Sequence, residues 1–274
     1  MTTPITKAII PVAGWGTRRL PITKAIEKCM LPVGNRPVVD YVVRDCIKAG
    51  ITEIFFVVNK GSTQLQQYYS DNARLNEYLE YNGKQDLIEL ARPPKNVVFH
   101  YIEQDSNGKY GTAIPVSLVY SHLKKGESVL YAMGDAFSHT ADGSSEFARL
   151  IENTPDGGVS LMSAPVSMEE VSRYGIIDFD EDTGVFRGIV DYPMPEQAPS
   201  NQINCANYVL NYGVMTNAYN YCQLDVSGEY YLTMVVSQYS VDGGTVNVVP
   251  IQGEYLDCGN VHGWLHANQL IVNR

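Results

Sequence analysis

The sequence predicts an α/β fold built on a doubly wound, mixed and mainly parallel sheet, and three observations carry that prediction. The chain has 274 residues, 45% of them hydrophobic and 18% charged, which is enough material for one large core. Short continuous apolar runs such as Ile54 to Val58 have the pattern of strands buried on both faces. These runs alternate with helical spacing through the first half, and strand–helix–strand order favours parallel pairing with right-handed crossovers.

Taken in order, Lys7 to Val12 reads as the first strand, followed by a glycine-containing turn. Arg36 to Ala49 reads as a helix, because Val39, Val42, Val43, Cys46 and Ile47 form one apolar stripe and Gly50 suits its end. Ile54 to Val58, Val97 to Ile102 and Val129 to Met133 are further buried strands, with a helix from about Gly111 to His122. The second half is less regular. Val159 to Ala164, Gly175 to Phe179, Val185 to Val190 and Tyr208 to Val214 read as strands of a mixed extension without a long helix between each pair. Pro193 to Asn204 reads as loop, Glu229 to Ser240 as helix, Thr245 to Pro250 as strand and Val261 to Val272 as a closing helix. No repeat or linker interrupts this order, so residues 1–274 are expected to form a single domain.

Composition narrows the function. Twenty basic and thirty acidic residues give a net charge of −10, which disfavours nucleic-acid binding but not a local pocket for one nucleotide. No apolar run approaches the ~20 residues of a membrane span, and Ala8 to Ala13 reads as a buried strand rather than a signal peptide. Cys29, Cys46, Cys205, Cys222 and Cys258 are scattered, odd in number and form no CxxC pair. They are expected to be reduced thiols of a cytoplasmic protein.

The most informative stretch is Gly14 to Val33, GWGTRRLPITKAIEKCMLPV. It follows a buried strand, and glycines at 14 and 16 would let backbone N–H groups approach an anion. Arg18 offers a planar fork to phosphate oxygens, Lys28 a mobile point charge, and Thr17 a further donor. The spacing is not a Walker loop. Nor is it a dinucleotide fingerprint, since Arg19 stands where the third glycine belongs and Pro21 and Thr23 favour an extended turn.

This stretch resembles the G-x-G-T-R-x-L-P-x-T-x-x-x-x-K-x-M-L-P signature of sugar-1-phosphate nucleotidylyltransferases, specifically the bacterial UTP–glucose-1-phosphate uridylyltransferases. The resemblance continues through Tyr41-Val42-Val43, Ala49 to Ile54, Ala198-Pro199-Ser200-Asn201 and Asp257-Cys258-Gly259-Asn260, and so covers nearly the whole chain. It implies a Rossmann-like nucleotidyltransferase fold, with the nucleotide-binding half at about 1–140 and a sugar-binding β extension and C-terminal part at about 141–274. It also implies roles: Arg18 and Lys28 as catalytic cations, and Ala13, Gly14, Gly16, Thr17, Gln104, Gly111 and Gly134 around the nucleotide. Gln104 would meet the base. Tyr174, Gly175, Asp191, Tyr192 and Asn207 would face the sugar phosphate, and Asp135 and Asp257 would hold Mg²⁺. A hard cation suits oxygen ligands and needs few carboxylates when phosphates supply the rest. His262 and His266, at i and i+4, lack a third ligand and are not read as a metal site.

The departures fall on the acceptor side. Relatives carry V-E-K-P where this chain has Val190-Asp191-Tyr192-Pro193, and Tyr brings no positive charge at neutral pH. Ala206 replaces a glycine, Asn207 a basic residue, and Met234 an aspartate. Two readings follow. One is uridylyl transfer from UTP to a sugar-1-phosphate, with Arg173 or Arg187 compensating for the missing lysine. The other is a catalytically weak relative that senses nucleotide or UDP-sugar. Members of the family assemble as dimers or tetramers, which makes a homo-oligomer the expectation.

Overall fold

The computed structural model describes residues 4–272 except 181. Its strands and helices appear in the order β1 (Lys7–Pro11), a two-residue pair β2 (Pro32–Val33) and β3 (Arg36–Pro37), α1 (Val38–Lys48) and β4 (Glu53–Asn59). Next come α2 (Gln64–Tyr68), α3 (Ala73–Tyr81), α4 (Ile88–Ala91), β5 (Val98–Gln104), α5 (Ile114–Val119), β6 (Val129–Tyr131), β7 (Ala136–His139) and α6 (Glu146–Glu152). The remainder is β8 (Val159–Pro165), β9 (Gly175–Phe179), β10 (Phe186–Asp191), β11 (Gln202–Leu210), α7 (Tyr212–Gln223), α8 (Leu232–Val241), β12 (Val246–Pro250), β13 (Glu254–Asp257) and α9 (Val261–Val272).

Nine strands form one sheet in the order β10-β9-β11-β6-β1-β4-β5, with β8 pairing β11 and β12. The β6-β1-β4-β5 block is wholly parallel. Beyond it β11 runs antiparallel to β6, β8 and β9, so the extension is mixed. Alternation along the strands divides the core between two faces. Ala8, Ile10, Ile54 and Phe56 pack in one apolar cluster, whereas Ile9, Phe55, Val57 and Tyr131 pack in the other. Burial on both sides is what made these strands legible as continuous apolar runs.

Three sequence expectations need correction. The helix expected from Arg36 starts at Val38, because Arg36 and Pro37 pair with Val33 and Pro32, and Pro37 is extended. The strand expected over Tyr208 to Val214 instead spans Gln202–Leu210, taking residues from the expected loop. Asn211 ends it: its Oδ1 accepts the Val214 N–H at 2.9 Å and starts the twelve-residue helix α7. The second half therefore contains a long helix that its β-rich composition concealed.

Two short strands outside the main sheet matter most for the site. β7 and β13 form a separate antiparallel ribbon in which Ala136 pairs with Asp257. Residues 135 and 257, more than a hundred positions apart in sequence, are thereby fixed side by side.

Candidate active site

The parallel strands β1, β4, β5 and β6 point their C-terminal ends the same way, and the segments just past those ends line a cavity of about 420 Å³. This is where ligands bind in open α/β sheets. Ala13 and Gly14 contribute from β1, Asn59 from β4, Gln104 from β5, and Gly134 and Asp135 from beyond β6. Gly111 and Lys28 complete the part foreseen from sequence. Gln104 sits at the last position of β5, where its Nε2 donates to the Lys109 carbonyl at 3.5 Å.

The glycines act in different ways. A Cβ on Gly14 would meet nothing within 4 Å, so this backbone is open to a ligand. Gly16 has φ +62°, a Cβ there would lie 2.9 Å from Thr23, and its carbonyl accepts the Thr23 hydroxyl at 2.9 Å. Its freedom shapes the turn. Gly111, at φ +125°, lies against the Tyr230 backbone, and a Cβ on Gly134 would overlap Val12 of the first strand's end. Both line the cavity, but their lack of a side chain serves packing. Gly16 and Thr17 do not line it.

A second cavity of about 210 Å³ adjoins the first and shares Asp135, Thr112, Met133 and Glu229 with it. Tyr174, Gly175, Asp191, Tyr192 and Asp257 line this chamber, together with Arg18 and Arg173. Asp191 pairs across the strands with Gly175, accepts the Thr233 hydroxyl at 2.9 Å, and has its carboxyl pushed up by burial against the pull of that bond. Gly175 leaves room for it, since a Cβ there would lie 2.8 Å from Asp191 Oδ1. Tyr192 has φ +53° and shares its surroundings with Glu229 and Arg18.

Asn207 is not brought to this chamber. It is buried, its Oδ1 accepts the Met133 N–H at 3.0 Å, and its Nδ2 faces Met162 Sδ at 3.7 Å. β11 bulges between Asn204 and Tyr208, where four residues advance against two on β8, and Asn204, Cys205, Ala206 and Tyr208 line the cavity while Asn207 does not. Ala206 sits in that bulge at φ +53°, a conformation suited to the glycine that relatives carry there.

The two aspartates converge. The Cys258 N–H donates to the Asp135 carbonyl at 3.1 Å, and the Gly259 N–H donates to Asp257 Oδ1 at 2.8 Å. A Cβ built on Gly259 would stand 2.8 Å from Asp257 Oδ1 and 3.2 Å from Asp135 Oδ2, so both carboxylates aim at one small region. Tyr174 Oη and Asn260 Nδ2 donate to Asp257 Oδ2 at 3.3 and 3.2 Å. The Lys28 ammonium forms an ion pair with Asp135. Burial opposes the charge on Lys28, but Asp135 and then Asp257 outweigh it and hold its pKa above the ordinary value. Two hard oxygen donors aimed at one small region fit Mg²⁺. Among the described residues no cluster of three His, Cys, Asp or Glu side chains forms, so water and phosphate would have to complete the coordination.

Sequence reasoning missed several participants. Arg19, set aside as a misplaced residue, is buried and donates to the Asn260 carbonyl at 2.7 Å and the Cys258 carbonyl at 3.4 Å, with its guanidinium 4.9 Å from the Trp264 ring. It braces the loop that carries Asp257. Asn59 was findable as the polar residue ending a buried strand. Glu229, in the wall between the chambers, had no local signal.

The chain is similar to known proteins over nearly its whole length. A Haemophilus influenzae protein named UTP–glucose-1-phosphate uridylyltransferase is 32% identical, over 95% of this chain and 91% of that one. An Escherichia coli protein of the same name is 29% identical, over 97% and 90%. A UTP-bound UGPase from Acinetobacter baumannii superposes with a TM-score of 0.87 at 28% identity, covering 97% of this chain and 93% of that one. Residues 7–274 match the family model described as Nucleotidyl transferase. With its glycine loop, paired aspartates and adjoining chambers carried on that shared fold, the chain belongs to the nucleotidyl transferase family.

Proposed function

We propose that this chain transfers the uridylyl group of UTP to a sugar-1-phosphate, with glucose-1-phosphate the first acceptor to test, giving UDP-sugar and pyrophosphate. The observation that carries the proposal is the meeting of two chambers at Asp135, one floored by the ends of the parallel strands and the other by the mixed extension. Proteins of this name among the relatives, and a UTP complex among the similar structures, support the same reading over a purely sensing role.

In this reading the first chamber holds the nucleotide, with Gln104 at the base and the open backbone at Gly14 along the phosphates. The second holds the acceptor, with Asp191, Tyr174 and the Gly175 backbone at the sugar hydroxyls. An acceptor phosphate oxygen attacks the α-phosphorus of UTP; a new P–O bond forms as the bond to the bridging oxygen breaks and pyrophosphate leaves with the electron pair. The nucleophile is already ionised near neutral pH, so no general base is needed and positioning with charge neutralisation does the catalysis. Lys28 would neutralise the α-phosphate, and Arg18 the departing pyrophosphate. Asp135 and Asp257 would hold Mg²⁺, whose contribution is to offset phosphate charge as it redistributes.

We read residues 1–274 as one catalytic unit, located in the cytoplasm and assembling with copies of itself. Among the described residues no helix is long and apolar enough to cross a membrane. Pyrophosphate release measured with UTP, dTTP and CTP against several sugar-1-phosphates tests the reaction. Activity with UTP and glucose-1-phosphate is the expected result; tight UTP binding with no pyrophosphate from any acceptor would return the chain to the sensing role.

A further inference from the structure

The acceptor chamber has an electrostatic problem. Asp135, Asp191, Glu229 and Asp257 bring four carboxylates to its wall, and a phosphate dianion must enter among them. Among the described residues lining it, only Arg18 and Arg173 carry positive charge, because Lys28 faces the nucleotide side and Tyr192 is neutral. Arg187, the other candidate from sequence, pairs with Asp180 at 2.5 Å and does not line the chamber. Arg18 sits on the loop that follows β1 and lines this chamber, but the uridylyl-transfer reading already assigns it to the departing pyrophosphate.

Arg173 comes to the chamber from a different segment of the chain. It ends a single helical turn, Val171–Arg173, directly before the Tyr174-Gly175 element, with its guanidinium 5.8 Å from the Tyr174 ring. The Tyr174 hydroxyl in turn donates to Asp257, so Arg173 is held one residue from the paired aspartates. Its carboxylate partner is Glu170 at 3.1 Å, and both side chains are about half exposed, at 48%. Such an exposed i,i+3 pair contributes little, and a desolvated phosphate is the stronger partner for a guanidinium fork.

We infer that Arg173 is the acceptor-side clamp: on ligand entry its guanidinium leaves Glu170 and binds the phosphate of the incoming sugar phosphate. The acceptor class is then a phosphate monoester, selected by charge at Arg173 and by hydroxyl contacts at Asp191. This inference rests on the uridylyl-transfer reading above.

Steady-state kinetics with UTP and glucose-1-phosphate on wild type, Arg173→Gln, Arg173→Lys and Glu170→Gln test it. Arg173→Gln is expected to raise the KM for glucose-1-phosphate by about tenfold or more, leaving the KM for UTP within about twofold and the melting temperature within a few degrees. Arg173→Lys should recover part of that loss, since the charge is kept and the fork is not. Glu170→Gln should hold or lower the acceptor KM. An active wild type whose Arg173→Gln variant keeps its acceptor KM, or loses both KM values equally, overturns the clamp and leaves uridylyl transfer standing. A wild type that forms no UDP-sugar removes the reading and the clamp together.

Discussion

The Cys258 N–H bonded to the Asp135 carbonyl at 3.1 Å locks together the two segments that carry the site's aspartates. Ribbon pairing of Ala136 with Asp257 sets their register, and Arg19 braces the far end through Asn260. The carboxylates are therefore positioned by backbone geometry before any ligand arrives, which is the preorganisation that charge-stabilising catalysis requires.

Gly259 gives the sharpest test of that geometry. An Ala there would push a methyl against Asp257 Oδ1 at 2.8 Å and Asp135 Oδ2 at 3.2 Å, so the carboxylate ends must move while the backbone can stay. Gly259→Ala is expected to keep its melting temperature within a few degrees and to raise the Mg²⁺ concentration needed for half-maximal turnover by about ten- to a hundredfold. An unchanged metal titration would show that the carboxylates do not serve the cation together.

Asp135→Asn and Asp257→Asn should each reduce turnover by about a hundredfold or more, as should chelation of Mg²⁺ in the wild type, with recovery on adding it back. Circular dichroism melts check that the fold survives. Full activity in both variants would end the metal assignment.

Arg18→Lys keeps the charge and loses the fork. Its kcat/KM for UTP is expected to fall about tenfold or more with no change in melting temperature, because the side chain is exposed and has no ion-pair partner among the described residues. Calorimetry with UTP and Mg²⁺ separates lost binding from lost turnover; unchanged values in both would return Arg18 to an ordinary surface charge.

Much of this was legible in the sequence, and the parts that were not share a cause. Ile54 to Val58 announced a strand because burial on both faces removes polar residues from the run. Asp135 and Asp257 were placed through a motif, whereas the ribbon that joins them, Ala136–His139 against Glu254–Asp257, is only four residues a side and too short for any periodicity to register. Asn207 was misjudged for a geometric reason. Its amide is used to hold the Met133 N–H across the sheet, and neither that contact nor the positive φ at Ala206 leaves a trace in composition. Arg19 was passed over because nothing local in the sequence tells that its guanidinium is buried and satisfied by the carbonyls of Cys258 and Asn260.

The bulge in β11 makes a stability prediction. Ala206 at φ +53° carries a left-handed penalty that glycine avoids, offset in part by glycine's greater freedom when unfolded. Ala206→Gly should stabilise the protein by about 0.5–1 kcal/mol, a gain of about 1–4 °C in melting temperature for a chain of this size. A lower melting temperature would mean that the Ala206 methyl packs too well in the chamber wall to lose.

A pH dependence follows from Asp45. This half-buried carboxyl accepts the Phe147 N–H at 3.3 Å, yet burial, reinforced by Glu146 and opposed by Ser145, Phe147 and Lys48, leaves its pKa raised. A raised carboxyl pKa contributes stability that is present below the unfolded value of about 3.9 and lost as pH rises through the folded value. Asp45→Asn, which mimics the neutral acid, should therefore gain on the wild type in melting temperature as pH rises from about 4 through the folded value. A difference that shrinks over that range would reverse the sign.

All five thiols are buried, and burial raises the pKa of each, that of Cys222 to about 11 and that of Cys258 to about 12. A neutral, covered thiol hardly reacts, so alkylation at neutral pH proceeds only through openings of the structure. The molecule thus carries a built-in clock for its own breathing. Cys29 adjoins Lys28 and Cys258 adjoins Asp257, while Cys46 lies on the buried face of α1 and lines neither chamber. Mass spectrometry of the labelling order would time how often the catalytic loops lift relative to the core, and how far a bound nucleotide slows them.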